Sequence, residues 1–150
     1  MSPHRTAVSE SGKTHWIGRA MTALAALFML FDGAMKLIPH FGPVEENFAR
    51  LGYVPEVGPG IGTLELTCVA LYVLPRTSIL GAILLTGYLG GAIATHVRVG
   101  DPLLSHILFP VYVALLIWGG LFLREGRVRA LIPFRAEATR NRKEIEPCAI

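Results

Sequence analysis

Four apolar runs occupy most of this 150-residue chain, and each is long enough to cross a lipid bilayer. The runs are 18 to 21 residues long and almost free of charge. A helix needs about 20 residues to cross a hydrocarbon core of about 30 Å, and lipid-exposed backbone must form all its hydrogen bonds internally. We therefore predict an all-α integral membrane protein. The predicted spans are residues 17–35, 57–74, 78–97 and 103–123.

The links between these runs predict how the spans pack. Pro75–Thr77 joins the second span to the third, and residues 98–102 join the third to the fourth. Links this short make consecutive helices antiparallel neighbours. The expected architecture of residues 17–123 is thus a four-helix antiparallel bundle, flanked by a polar N-terminal tail (1–16) and a basic C-terminal tail (124–150).

The first link, residues 37–56, has helical signals of its own. Pro43 suits a first helical turn, and Gly52 suits a helix end. Val44, Phe48 and Leu51 recur at i, i+4 and i+7. This pattern predicts a short amphipathic helix on the membrane surface or over the end of the bundle.

The basic residues predict the orientation of the chain. Eleven Lys and Arg residues lie in the N-terminal segment through Arg19, the turn at Arg76 and the C-terminal tail, whereas the opposite side has Lys36, Arg50 and Arg98. Because basic residues concentrate on the cytoplasmic side, both termini are expected in the cytoplasm of a bacterial cell, with the spans in its inner membrane. Basic residues that flank spans do not indicate nucleic-acid binding, and the expected partner is the bilayer.

Several kinds of site find no support in the sequence. Cys68 and Cys148 are far apart and form no CxxC or Cys/His metal motif, so neither a disulfide nor a metal site is expected. No cofactor motif is evident. The sequence lacks a nucleotide-binding glycine loop, Gly-x-Ser-x-Gly and His-Glu-x-x-His, which leaves soluble-enzyme chemistry without support.

Glu65 is the residue that most suggests a site. It lies eight residues into the second span, about 12 Å from its start, where a carboxylate must be protonated, hydrogen-bonded or paired with a cation. Lys36, His96 and Arg98 are candidate partners. Other ionisable residues cluster toward the same side of the membrane. The full predicted polar pocket is Asp32, Lys36, Glu65, His96, Arg98 and His106.

Small and aromatic residues suggest how the spans pack around this pocket. Gly58 and Gly62, like Gly87 and Gly91, stand four residues apart and predict close helix approach, with Gly33 as a further packing position. The aromatic residues either pack the core or line a pocket for a flat apolar ligand such as a quinone or a sterol-like lipid. They are Tyr72, Tyr88, Tyr112 and Trp118.

Three short segments resemble the DoxX-like family of small four-helix membrane proteins. They are Phe-Asp-Gly-Ala-Met-Lys-Leu (31–37), Leu-Gly-Tyr-Val-Pro (51–55) and Gly-Ile-Gly-Thr-Leu-Glu-Leu (60–66). The resemblance covers about residues 17–125 and implies a shared site rather than a shared reaction. The matching positions are Gly33, Lys36, Gly52, Gly62 and Glu65. DoxX itself is named as a membrane subunit of a thiosulfate:quinone oxidoreductase, but no thiosulfate-handling cysteine lies on the outer side here.

Two hypotheses follow from this sequence. In the first, the chain is a binding or accessory subunit with an outward-facing pocket for a quinone-like or small amphipathic ligand. In this hypothesis the chain works with a membrane redox partner or as a homo-oligomer. Glu65 accepts a proton or a hydrogen bond, and the positive charge of Lys36 compensates the negative charge of Glu65. In the second, the same residues only lock together a structural or transport-like component. A stand-alone enzyme ranks third, because no nucleophile and base are visibly paired.

Overall fold

The computed structural model describes residues 6–131, with side chains for residues 14–129. The described chain is helical throughout and has no strand. A short 3₁₀ turn, Pro55–Val57, precedes the third helix, and a π-helical turn, Leu103–Ile107, precedes the fifth. The helices are α1 (Thr6–Lys36), α2 (Gly42–Arg50), α3 (Gly58–Val73), α4 (Ser78–Val99), α5 (Phe109–Arg124) and α6 (Gly126–Leu131).

Three stretches of helix are long and apolar enough to cross a membrane. They are Thr14–Lys36, Ser78–Val99 and Leu103–Arg124. The second predicted span corresponds to α3, which has 16 residues and is therefore about 24 Å long. The helix ends before Pro75 because a residue that precedes proline avoids helical backbone, and Leu74 is extended, with ψ 123°.

Two segments predicted as tails contain helix. Helix α1 begins at Thr6, eleven residues before the predicted start of the first span. Helix α6 lies in the predicted C-terminal tail, where Val128 is 2% exposed and packs against the core. Residues 1–5 and 132–150, which include Cys148 and most of the basic C-terminal segment, lie outside the described residues.

The four long helices pack in a ring, in which α1 and α4 each contact both α3 and α5. Neighbouring helices run in opposite directions: Gly18 at the start of α1 lies beside Leu123 at the end of α5, and Gly81 at the start of α4 lies beside Tyr72 at the end of α3. Both ends of the described chain are thus at one end of the ring, the terminal end. The other end, which carries α2 and the turn at 100–107, is the loop end. Side chains buried between the helices include Met29, Val69, Tyr72, Leu85, Ile117 and Leu121.

Helix α2 covers the loop end. Pro43 lies in its first turn, and Phe48 and the following Leu51 are 5% and 7% exposed. Gly52 ends the segment with φ +76°, a left-handed conformation that glycine adopts without steric cost. The helix therefore presents its apolar side chains to the interior of the ring.

The glycines predicted at close helix contacts differ in how near the neighbouring helix lies. Gly62 and Gly33 do lie at a close approach of α1 and α3, and a Cβ on Gly58 would be 3.6 Å from Lys36 O, an ordinary contact. The prediction for Gly87 and Gly91 is wrong, because a Cβ at either position would meet nothing within 4 Å. Close packing on α4 occurs instead at Gly81, whose Cβ would be 2.2 Å from the backbone nitrogen of Tyr72.

Candidate functional site

The close approach of α1 and α3 determines which polar side chains meet at the loop end. A Cβ on Gly62 would lie 2.7 Å from Gly33 O and 2.9 Å from Lys36 Cβ, which are distances too short for any larger residue. A Cβ on Gly33 would in turn lie 3.4 Å from the carboxyl carbon of Glu65, so the glycine of each helix lies against the charged residue of the other. Because Gly33 and Gly62 have no side chains, α1 and α3 approach closely enough for Lys36 to contact Glu65.

Four residues from three helices form one hydrogen-bonded group, the polar cluster: Asp32, Lys36, Glu65 and Tyr88. Lys36 Nζ donates to Glu65 Oε2 at 2.9 Å and also to Asp32 Oδ2, one helical turn earlier in α1. Tyr88 OH donates to the same Glu65 oxygen at 2.7 Å. The Lys36 ammonium also lies 5.8 Å from the centre of the Tyr88 ring.

The polar cluster is buried most deeply at Glu65. The Glu65 side chain is 0% exposed, that of Lys36 12% and that of Asp32 45%. Glu65 Oε1 has no hydrogen-bond partner among the described residues. With both carboxylates ionised, the cluster has two negative charges against one positive charge. Charged groups this deep stabilise a fold only when they are well paired, so the unpartnered oxygen makes Glu65 a candidate for a role beyond packing.

A cavity of about 480 Å³ adjoins the polar cluster at the loop end. All four long helices and the segment around α2 contribute to its walls. Gly87 and Gly91 line it, and their lack of side chains keeps this part of the interior empty. Its polar lining residues are Asp32, Lys36, Asn47, Tyr53, Tyr88, Thr95 and His96, and its apolar lining includes Phe28, Met29, Phe48, Leu64, Leu89, Phe109 and Val113.

A second polar group joins α2 to the turn after α4. His96 Nδ1 lies 2.5 Å from Asp101 Oδ2, and Arg50 pairs with the other oxygen of Asp101. The hydrogen bond with His96, together with that from Arg50, holds the pKa of Asp101 below its ordinary value of 3.8, although burial acts in the opposite direction. The ring of His106 lies edge-on to that of His96, with 5.6 Å between centroids.

Two further contacts hold the end of the α2 segment against α4. Arg98 Nη2 donates to Leu51 O at 2.5 Å, and the guanidinium lies 5.9 Å from the centre of the Tyr53 ring. Tyr53 OH is 3.1 Å from Thr95 Oγ1. Leu51, Tyr53 and Thr95 all line the cavity, so these contacts hold part of its wall in place.

The structure brings only some of the six predicted site residues together. Asp32, Lys36 and Glu65 come together, and Lys36 is the partner of Glu65 among the three candidates. His96 lines the same cavity, but on α4 it is eight residues from Tyr88, about 12 Å along the helix. Arg98 bonds to backbone at Leu51 and His106 contacts Ser105 and His96, so neither joins the polar cluster.

The sequence predicted Tyr88 only as a core or pocket-lining aromatic residue, and it gave no site role to Arg50 or Tyr53. Tyr88 donates to Glu65, Arg50 pairs with Asp101, and Tyr53 bonds with Thr95. A helical period of small and polar residues along α4, at positions 87–88, 91–92 and 95–96, is the signal that marks this face. No three or more His, Cys, Asp and Glu side chains within the described ranges form a group suited to a metal ion.

Comparison with known proteins gives one match. A family model described as the DoxX-like family matches residues 20–120, which cover all but the start of α1 and the end of α5 among the long helices. No curated protein matches the chain, and no solved structure matches it. The matched region contains the polar cluster, the cavity and the α2 segment.

Proposed function

This chain belongs to the DoxX-like family, and from that membership and its site we propose that it is a membrane-embedded binding or accessory subunit for a quinone-like or other small amphipathic molecule. The single observation that supports this function best is the loop-end cavity with the polar cluster in its wall. Ligand sites of about 300 to 1,000 Å³ are mostly apolar and have a few polar groups that orient the ligand. The cavity at the loop end has this composition.

The polar cluster supplies the orienting groups. Lys36 carries three donor protons, of which Asp32 and Glu65 accept two, so one remains for a ligand in the cavity. Tyr88 and Glu65 hold the ammonium in place, and Glu65 balances its charge. The polar head of a bound molecule would then contact Lys36 and Asp32, and its apolar body would lie against Phe28 and Phe109.

The proposed setting is a four-span antiparallel bundle in the inner membrane of a bacterium. Three stretches suit a span by length and hydropathy, and α3 would complete the bundle in a region where the bilayer adapts to its shorter length. The excess of basic residues near the two termini supports cytoplasmic termini, and the loop end would then lie outside. Helix α2 would then lie at the outer surface, over the cavity.

A ligand of this kind requires a partner for any redox step, and we propose a second membrane protein in that role. The contacts of Arg98, Tyr53 and Thr95 hold the cavity wall at the loop end. Phe28 and Phe109 also line the cavity and are 38% and 43% exposed. Their exposure supports entry of the ligand from the lipid phase.

Two neighbouring glycines of α4 allow a matched test. Gly91 lines the cavity and Gly90 does not, and a Cβ at either position would meet nothing within 4 Å. We would measure thermal unfolding of the purified protein in detergent with a decyl benzoquinone, its hydroquinone, a short-chain naphthoquinone and a lysophospholipid. The variants are Gly91→Leu, which fills the cavity, and Gly90→Leu, which adds the same side chain outside it.

The proposal requires that at least one compound raise the melting temperature of the wild type and of Gly90→Leu but not that of Gly91→Leu. If no compound shifts the wild type, and Glu65→Gln only lowers its melting temperature, the polar cluster is a structural clamp. Equal shifts in all three proteins would indicate nonspecific partition of the compounds into the detergent micelle.

A further inference from the structure

The polar cluster has more hydrogen-bond acceptors than donors. The Tyr88 hydroxyl donates its proton to Glu65, and Lys36 has one proton left after its bonds to Asp32 and Glu65. By contrast, two carboxylate oxygens are unused within the described chain. Asp32 accepts its hydrogen bond at Oδ2, which leaves Oδ1, and Glu65 Oε1 has no hydrogen-bond partner. A carboxylate accepts up to about four hydrogen bonds, so most of this capacity is unused.

Within the polar cluster, the unused groups on residues that line the cavity are an acceptor of Asp32 and a donor of Lys36. Asp32 and Lys36 both line the cavity, and the Asp32 side chain is 45% exposed. Glu65 Oε1 is fully buried and does not line the cavity. These two residues offer a molecule bound beside them one unused carboxylate oxygen and one unused ammonium proton.

From this juxtaposition, and resting on the proposed function, we infer that the cavity selects a flat apolar molecule whose head is a neutral hydroxyl, such as a phenol or the hydroquinone form of a quinone. A hydroxyl donates to Asp32 and accepts from Lys36 at once. A quinone carbonyl accepts only, so the Asp32 oxygen would lose contact with water without gaining a donor. An ammonium donates only, and it would lie against the charge of Lys36.

Three compounds with one ring and one tail test this inference directly. They are a decyl hydroquinone, the corresponding decyl benzoquinone and the dimethyl ether of the hydroquinone. Their dissociation constants for the detergent-purified protein are measured without oxygen, so that the hydroquinone stays reduced. Because a hydrogen bond to a charged group is involved, the hydroquinone should bind roughly ten- to a hundredfold more tightly than the quinone. The dimethyl ether, which cannot donate, should bind no better than the quinone.

Asp32→Asn gives a readout that a structural role would not produce. The amide oxygen of asparagine still accepts from Lys36, which turns its NH₂ group, a donor, toward the cavity. The preference for the hydroquinone should then fall to about one or reverse in favour of the quinone. Thr67→Val is the matched control, because Thr67 is an exposed residue of α3 outside the cavity wall. It should keep the wild-type ratio.

Each result bears on the inference. It is overturned if the wild type binds the quinone as tightly as the hydroquinone, or if Asp32→Asn keeps the wild-type ratio. In either case the cavity still binds a ligand, so the proposed function survives. If none of the three compounds binds, the proposed function fails and this inference fails with it.

Discussion

Lys36 Nζ lies 2.9 Å from Glu65 Oε2, although the two residues are 29 positions apart in the chain. The contact crosses from α1 to α3 at the close approach of Gly33 and Gly62. The Glu65 side chain is 0% exposed, and Lys36 is its only cationic partner within the described residues. This pair therefore links the packing of the two helices to the chemistry of the cavity.

We expect Lys36→Met to destabilise the protein by roughly 3–5 kcal/mol, because it leaves the Glu65 carboxylate buried without a cation. Unfolding monitored by circular dichroism in mixed micelles measures this loss. The double variant Lys36→Met with Glu65→Met should recover most of it, since removal of both charges leaves no uncompensated ion. The interpretation would be contradicted if the double variant lost as much unfolding free energy as the two single variants lose together.

We expect Gly62→Ala to lower stability by about 1–3 kcal/mol, because its Cβ would lie 2.7 Å from Gly33 O and would force α1 away from α3. The same change should weaken ligand binding, since it separates Lys36 from Glu65. Gly60→Ala, on the same helix with nothing within 4 Å of its Cβ, should instead be neutral or stabilising by up to about 1 kcal/mol. Similar losses in both variants would argue against the close approach.

The depressed pKa of Asp101 predicts a loss of stability in acid. Its carboxylate is favoured in the folded protein, so its contribution is fully present above the ordinary pKa of 3.8 and is lost as the pH falls through the lower folded value. Melting temperatures of the wild type and Asp101→Asn, measured from pH 7 to pH 2, should differ at neutral pH and converge at the acid end of the range. A constant difference across this range would show that Asp101 does not act through its charge.

Two tyrosines allow stability and binding to be separated. Tyr72 lies at the terminal end, where its hydroxyl is 3.1 Å from Ile117 O and 3.3 Å from Thr22 Oγ1. We expect Tyr72→Phe to cost about 1 kcal/mol of stability and to leave the dissociation constant of the decyl hydroquinone unchanged. Tyr88→Phe should change that constant, because it removes a donor from Glu65 and alters the cavity wall. Equal effects of the two variants on binding would contradict the location of the site.

The helices and part of the site could be predicted from local sequence. Apolar runs predict α1, α4 and the stretch 103–124, since length and hydropathy are properties of a single segment. Asp32 and Lys36 are one turn apart on a single helix, so their pairing follows from the helical period. The helix α2 likewise follows from Pro43 and the spacing of Phe48 and Leu51.

Only the tertiary structure decided which side chains meet across helices. Hydropathy does not specify the rotation of one apolar helix against another, so Lys36, His96 and Arg98 were equal candidates for Glu65. The contact of Gly62 with Gly33 settles that rotation in favour of Lys36. The same packing leaves Gly87 and Gly91 facing a cavity instead of a helix. A glycine permits both close contact and empty space, and the neighbouring helices determine which of the two occurs.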